Sequence, residues 1–180
     1  MKTLPYIMAL VASAPAAAWG LSQTDQTPRP SPEVQKLGYY VGSWHGHGDT
    51  KGGPFGRAGK LSSHMDCDWF AGKFQVICRG EETGPTGTRS FLNILAYDEA
   101  AKAYTEYSIS NRGEAEYDRA GTLVGDRLTY IVSDQAGAKP IRFRYTEMHL
   151  TPVLMTYKAE ASVNGGPWTP VAAGKIAKTK

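Results

Sequence analysis

The chain has 180 residues, 41% of them hydrophobic and 21% charged, which leaves room for one domain with a sizeable core and excludes disorder throughout. A formal net charge of +3 is weak, and no basic run is interleaved with aromatics, so nothing favours a nucleic-acid partner. The 20 glycines, 11 prolines and 10 tyrosines point to many turns and many half-buried strand positions.

The N-terminus reads as a targeting segment. Lys2 supplies a positive charge, Leu4 to Ala14 form an apolar run broken only by Pro5 and Ser13, and Ala16-Ala17-Ala18 offers a small-x-small cleavage site, with Ala18-Trp19-Gly20 as a second option. The run is well short of the roughly 20 residues of a spanning helix, and no later stretch is longer. Residues 1–18 are therefore expected to be a cleaved signal peptide and the protein to be exported, periplasmic or secreted. No cysteine stands at the cleavage site to take a lipid. Residues 19–31, with Thr27-Pro28-Arg29-Pro30, suit an extended linker. Residues 32–180 form the domain. It opens on a helix with Ser31 as N-cap, Pro32 at the first position, and Val34, Leu37 and Tyr40 on one side.

In Val41-Gly42-Ser43-Trp44-His45-Gly46-His47-Gly48 strand alternation puts Gly42, Trp44, Gly46 and Gly48 on one face and Ser43, His45 and His47 on the other. One indole on a bare backbone face suits a plug in the floor of a small barrel. From Gly59 the chain alternates strand and turn at intervals of about 10 residues. The strands expected are 60–70, 74–82, 89–97, 103–111, 116–124, 127–134, 139–149, 153–163 and 168–177. Short turns make sequential antiparallel neighbours, and no later segment is a helix that could cover a sheet face. The reading is all-β: an up-and-down antiparallel barrel of about ten strands, closed on itself, with a short N-terminal helix and an internal cavity.

Periodicity assigns faces. Ile141, Phe143 and Tyr145, then Val153, Met155, Tyr157, Ala159 and Ala161, then Leu128, Tyr130 and Val132, and finally Tyr107 and Ile109 are expected inside. The lining would be aliphatic with several phenol hydroxyls, able to hold an apolar ligand with a polar handle. The competing expectation is a solid core with those hydroxyls at its rim.

Gly42-Ser43-Trp44-His45-Gly46-His47-Gly48 resembles the G-x-W-x-G-x-G opening strand of lipocalin-like (calycin) barrels. With Leu95-Ala96-Tyr97-Asp98 and Gly121-Thr122-Leu123-Val124-Gly125, the chain from about Leu37 onward looks like a family of uncharacterised, often exported bacterial proteins. The haem-binding nitrobindins share the opening strand. The resemblance implies a ten-stranded barrel with a cavity and, for the nearest family, no known activity.

Cys67 and Cys78 are the only cysteines. A two-residue turn at Gly72-Lys73 sets them opposite each other and puts Asp66 across from Arg79, so a cross-strand disulfide is expected. His45 and His47 leave one face together and His64 could join them, three imidazoles for a metal, though solvated histidines are the default and no metal is expected. His149 and Glu147 fall on the inward parity. The first could serve as a haem ligand, as the nitrobindin resemblance invites; the second could act as a buried acid or base in an isomerase-type enzyme. Neither a hydrolase, zinc-protease, phosphate-loop nor dinucleotide motif is present. The leading expectation is a protein without catalysis or cofactor that binds a small amphipathic or hydrophobic molecule through Trp44, Tyr107, Tyr130, Phe143, Tyr145, Met155 and Tyr157. The rivals are a haem protein or enzyme using His149 or Glu147, and an envelope protein acting through its surface.

Overall fold

A computed structural model describes residues 28–136 and 139–179; the expected signal peptide and most of the linker lie outside them. The Ser31 hydroxyl accepts from the Val34 amide at 3.3 Å and starts helix α1, Pro32–Lys36, with proline in its first turn. A 3-10 turn, Leu37–Tyr39, continues it. Ten strands follow: β1 Gly42–Thr50, β2 Gly59–Trp69, β3 Val76–Gly84, β4 Gly87–Asp98, β5 Ala103–Ser110, β6 Ala115–Val124, β7 Arg127–Ala136, β8 Lys139–Thr151, β9 Leu154–Val163 and β10 Thr169–Lys178. Each pairs antiparallel with its sequence neighbours, and β1 pairs with β10 from Trp44 opposite Lys178 to Thr50 opposite Ala172, closing the barrel. Closure leaves no free sheet edge. Among the described residues no helix is long and apolar enough to cross a membrane.

The interior has two unlike halves. At the end covered by α1 and the 3-10 turn, Leu37, Tyr40, Trp44, Cys67, Val76, Cys78, Leu95, Tyr104, Leu128, Tyr130 and Met155 form one buried cluster. Trp44 has no exposed surface, and its indole N–H donates to the Tyr40 carbonyl at 2.6 Å. Cys67 and Cys78 face each other across β2 and β3 and are bonded inside this floor. The cap is tied down by several hydrogen bonds. Tyr104 OH donates to Glu33, Tyr39 OH to the carbonyls of Thr151 and Leu154, and Lys178 Nζ to the Tyr39 carbonyl.

Toward the other end some inward residues are buried, Ile141, Ala159 and Ala161 among them, and others are only partly covered. Tyr145 lies on the inward parity, opposite Tyr130 on β7 and Ala159 on β9, yet 39% of its surface is exposed. Small residues keep this half open. Gly48 and Gly174 lie under the Tyr157 ring, which would meet a Cβ at either position, and Gly121 lies under Tyr130 in the same way.

Three inward assignments are overturned. Tyr107 and Ile109 lie on the outer face, each 40% exposed, because β5 pairs Leu95 with Glu106 and Asn93 with Ser108, turning its polar parity inward. The outer face of that wall is apolar as well, with Leu92 opposite Ile109 and Ile94 opposite Tyr107, so hydrophobicity does not mark the inside there. Val153 lies in the turn before β9 and is 54% exposed.

Candidate functional site

Above the apolar floor the wall from β4 to β8 turns polar. Ser108 donates to Asn93 Oδ1 at 2.8 Å, and Asn93 Nδ2 donates to Glu106 Oε1 at 2.6 Å. Register places Glu106 opposite Asp118 on β6, where a bulge follows. Asp118 Oδ1 is fully covered and has no hydrogen-bond partner among the described residues. Tyr130 and Tyr145 look onto the same layer, and the charges of Glu106 and Asp118 act on both phenols.

Burial, and then the charges of Glu147, Asp118 and Glu116, push Glu106 up to about 8. Burial and Glu116 push Asp118 up to about 6. At neutral pH one wall therefore holds a largely protonated carboxyl beside a largely ionised one, a donor next to an acceptor. Tyr145 is raised to about 12 by burial and by Glu116 and Asp118, and Tyr157 to about 12 by burial and by Glu82 and Asp49. The phenols are thus neutral donors. Cations on the inward parity include Arg89 at the mouth, 3.5 Å from Glu114, and Lys178 at the floor, 4.7 Å from the Trp44 ring centre.

A second polar group joins the layer to the cap. Tyr40 OH donates to Glu147 Oε2 at 2.5 Å and lies 3.2 Å from His149 Nε2. With its proton committed to the carboxylate, the phenol oxygen accepts from an Nε2–H tautomer. Burial, then Glu147, raises Tyr40 well above the usual phenol value. The His149 ring stacks on Tyr39 at 3.8 Å, 12° from parallel. One ring face and Nε2 are thereby taken, so His149 does not fit the role of an axial haem ligand.

The mouth is aromatic. Phe55, from the loop between β1 and β2, meets Phe143 edge-on at 5.6 Å, and Phe143 stacks toward Tyr145 at 6.4 Å. Of the residues expected to line a site, Phe143, Tyr145 and Tyr157 line the open half. Tyr130 reaches it from the floor, Trp44 and Met155 are buried in the floor, and Tyr107 is outside. Glu147 and His149 are inward as expected and share the Tyr40 hydroxyl. Glu106, Asp118, Asn93 and Ser108 were not singled out by periodicity. His45 and His64 are cross-strand neighbours on the outer face with rings 6.2 Å apart, and among the described residues no group of three metal-ligating side chains is placed to hold an ion.

No family model matches the sequence, and no curated protein matches it. Among solved structures, Rv2717c from M. tuberculosis is similar with a TM-score of 0.58 at 16% identity, over 84% of this chain and 99% of that one. The S-type phycobiliprotein lyase CPES from Guillardia theta is similar with a TM-score of 0.50 at 13% identity, over 81% of this chain and 92% of that one. At such identity the likeness is one of fold: a lipocalin-like barrel.

Proposed function

We propose that this protein binds a small amphipathic molecule in the open half of its barrel. The apolar part rests on Phe143, Tyr145 and Tyr157, and the polar end reaches the layer of Glu106, Asn93, Ser108 and Asp118. The observation that carries this reading is a contrast within one inward-facing set. Trp44 and Val76 expose nothing, whereas Tyr145 exposes 39%. A solid interior would have buried all three, so the surface-acting envelope protein is the weaker reading. Export remains part of the proposal, supported by the N-terminal pattern and by a buried disulfide of the kind that persists in oxidising compartments. N-terminal sequencing of protein from its native compartment checks it: a chain still starting at Met1 contradicts a cleaved signal.

The test of binding is a titration with the neutral amphipathic fluorophore N-phenyl-1-naphthylamine. Wild type is expected to bind one equivalent, and Ser108→Trp, which puts an indole into the open layer, to lose binding while remaining folded. Unchanged binding by Ser108→Trp would place the probe outside the barrel, and no binding by wild type would leave the interior without a ligand role. A second reading, an isomerase-type enzyme, is favoured by the hydrogen-bonded set of Tyr40, Glu147 and His149 beside the same layer. Chemical conversion of a ligand that co-purifies, abolished in Glu147→Gln, would distinguish it from a carrier.

A further inference from the structure

Because the barrel end is closed by the cap, a ligand in the open half presents one end to the carboxyl layer. The chemistry of that layer is asymmetric. Asp118 Oδ1 is buried without a donor among the described residues, an arrangement that is costly for a carboxylate unless something donates to it. Glu106 opposite is raised first by burial and then by the neighbouring charges of Glu147, Asp118 and Glu116, while Arg89 lowers it. A neutral donor would satisfy the orphaned oxygen but leave that excess of negative charge uncompensated. An anion would add to it. The aromatic side chains of Tyr130, Tyr145 and Phe143 share the inward parity around the layer, and an aromatic ring can attract a cation through its quadrupole.

We infer that the polar end of the bound molecule is a protonated amine, donating to Asp118 and Glu106 between the rings of Tyr130 and Tyr145. This rests on the binding reading above and adds the ligand class. The Asp118 oxygen supplies the hydrogen-bond acceptor, the carboxyl excess supplies the charge, and Phe143 and Phe55 supply an aromatic passage for an apolar body. The step is binding alone, with no bond made or broken.

Three probes with one body and different ends test it: 2-naphthylmethylamine, 2-naphthylmethanol and 2-naphthoic acid, titrated by calorimetry at neutral pH into wild-type protein. The amine is expected to bind about tenfold or more tightly than the alcohol, the size of a charge-assisted hydrogen bond, and the acid least tightly of the three. Asp118→Asn should erase most of the amine's advantage while keeping affinity for the alcohol. Glu106→Gln should reduce it, and Glu81→Gln on the outer face should leave it unchanged. If Asp118→Asn does not fold, Glu106→Gln alone decides. An alcohol or acid that binds as tightly as the amine, or an amine preference that survives both luminal substitutions, overturns the inference while leaving a binding barrel in place. If none of the three probes binds, and Ser108→Trp behaves like wild type, the binding reading falls together with it.

Discussion

Trp44 shows how much one side chain does when its strand offers nothing else. Its neighbours on the inward face are glycines, and a Cβ on Gly46 or Gly48 would run into Ser63 or Tyr157. The indole therefore fills the centre of the floor alone, fully buried, with its N–H on the Tyr40 carbonyl and the Lys178 ammonium over its ring. Trp44→Phe keeps an aromatic ring but leaves that carbonyl without its donor and opens a void. The expected loss is about 2 to 4 kcal/mol of unfolding free energy, read from urea denaturation with an unchanged slope. The Cys67–Cys78 bond lies in the same floor and closes a loop with a sequence separation of 11. Replacing both cysteines by serine should cost roughly 3 kcal/mol by loop entropy, and non-reducing peptide mapping of protein from its native compartment should recover the two cysteines in one linked pair.

At the level of elements, the cap and the β4–β5 wall differ in how plainly their residues announce them. Ser31, Pro32, Leu37 and Tyr40 spell a capped, one-sided helix, and that helix covers the barrel end with Val34, Leu37 and Tyr40 buried. Leu37→Ala should therefore cost about 2 to 4 kcal/mol and raise amide exchange first across residues 31–41, because the cap lies outside the hydrogen-bonded ladder of the strands and Leu37 is one of its main anchors in the core. Uniform exchange across all strands instead would show that the cap unfolds only with the whole barrel. The β5 wall is harder to read because Tyr107 and Ile109 look like core residues by periodicity and are not. Their partners Ile94 and Leu92 are apolar on the outside too, so the alternation that sorted β7, β8 and, from Met155 onward, β9 is uninformative at β5. Register held the missing signal. The Cys67–Cys78 pair, the two-residue turn between Gly84 and Gly87 and the pairing of Asp98 with Ala103 chain together. Counted through, they put Glu106 and Ser108 inside. Asp118 was less accessible still, since the bulge between Tyr104 and Glu106 against β6 shifts parity within that strand, and bulges leave little trace in a single sequence.

The whole molecule is a barrel with a packed, cross-linked floor and a buried acidic layer above it, and that division sets its response to pH. Glu106 is raised from an ordinary 4.5 to about 8, and Asp118 from 3.8 to about 6. In the unfolded chain both ionise at their ordinary values, so between about pH 4 and pH 8 the folded state holds more protons than the unfolded one. A raised carboxyl contributes its full share of stability below the unfolded value and loses it as pH rises through the folded value. Stability should therefore fall from about pH 5 to pH 8, with a slope of up to about 1.4 kcal/mol per pH unit while Glu106 alone titrates. Carboxyls held low by their partners, Glu33 by Lys36 and Tyr104, and Glu114 by Ser110, act in the opposite sense and only under more acid conditions; both are largely exposed and contribute little. Glu106→Gln removes the main titrating group while keeping an acceptor for Asn93. Its melting temperature should vary much less between pH 6 and pH 8 than that of wild type, and should exceed wild type at pH 8. A wild-type melting temperature that rises over that range would mean that Glu106 ionises at an ordinary value, and with it that water reaches the carboxyl layer freely rather than through the aromatic mouth.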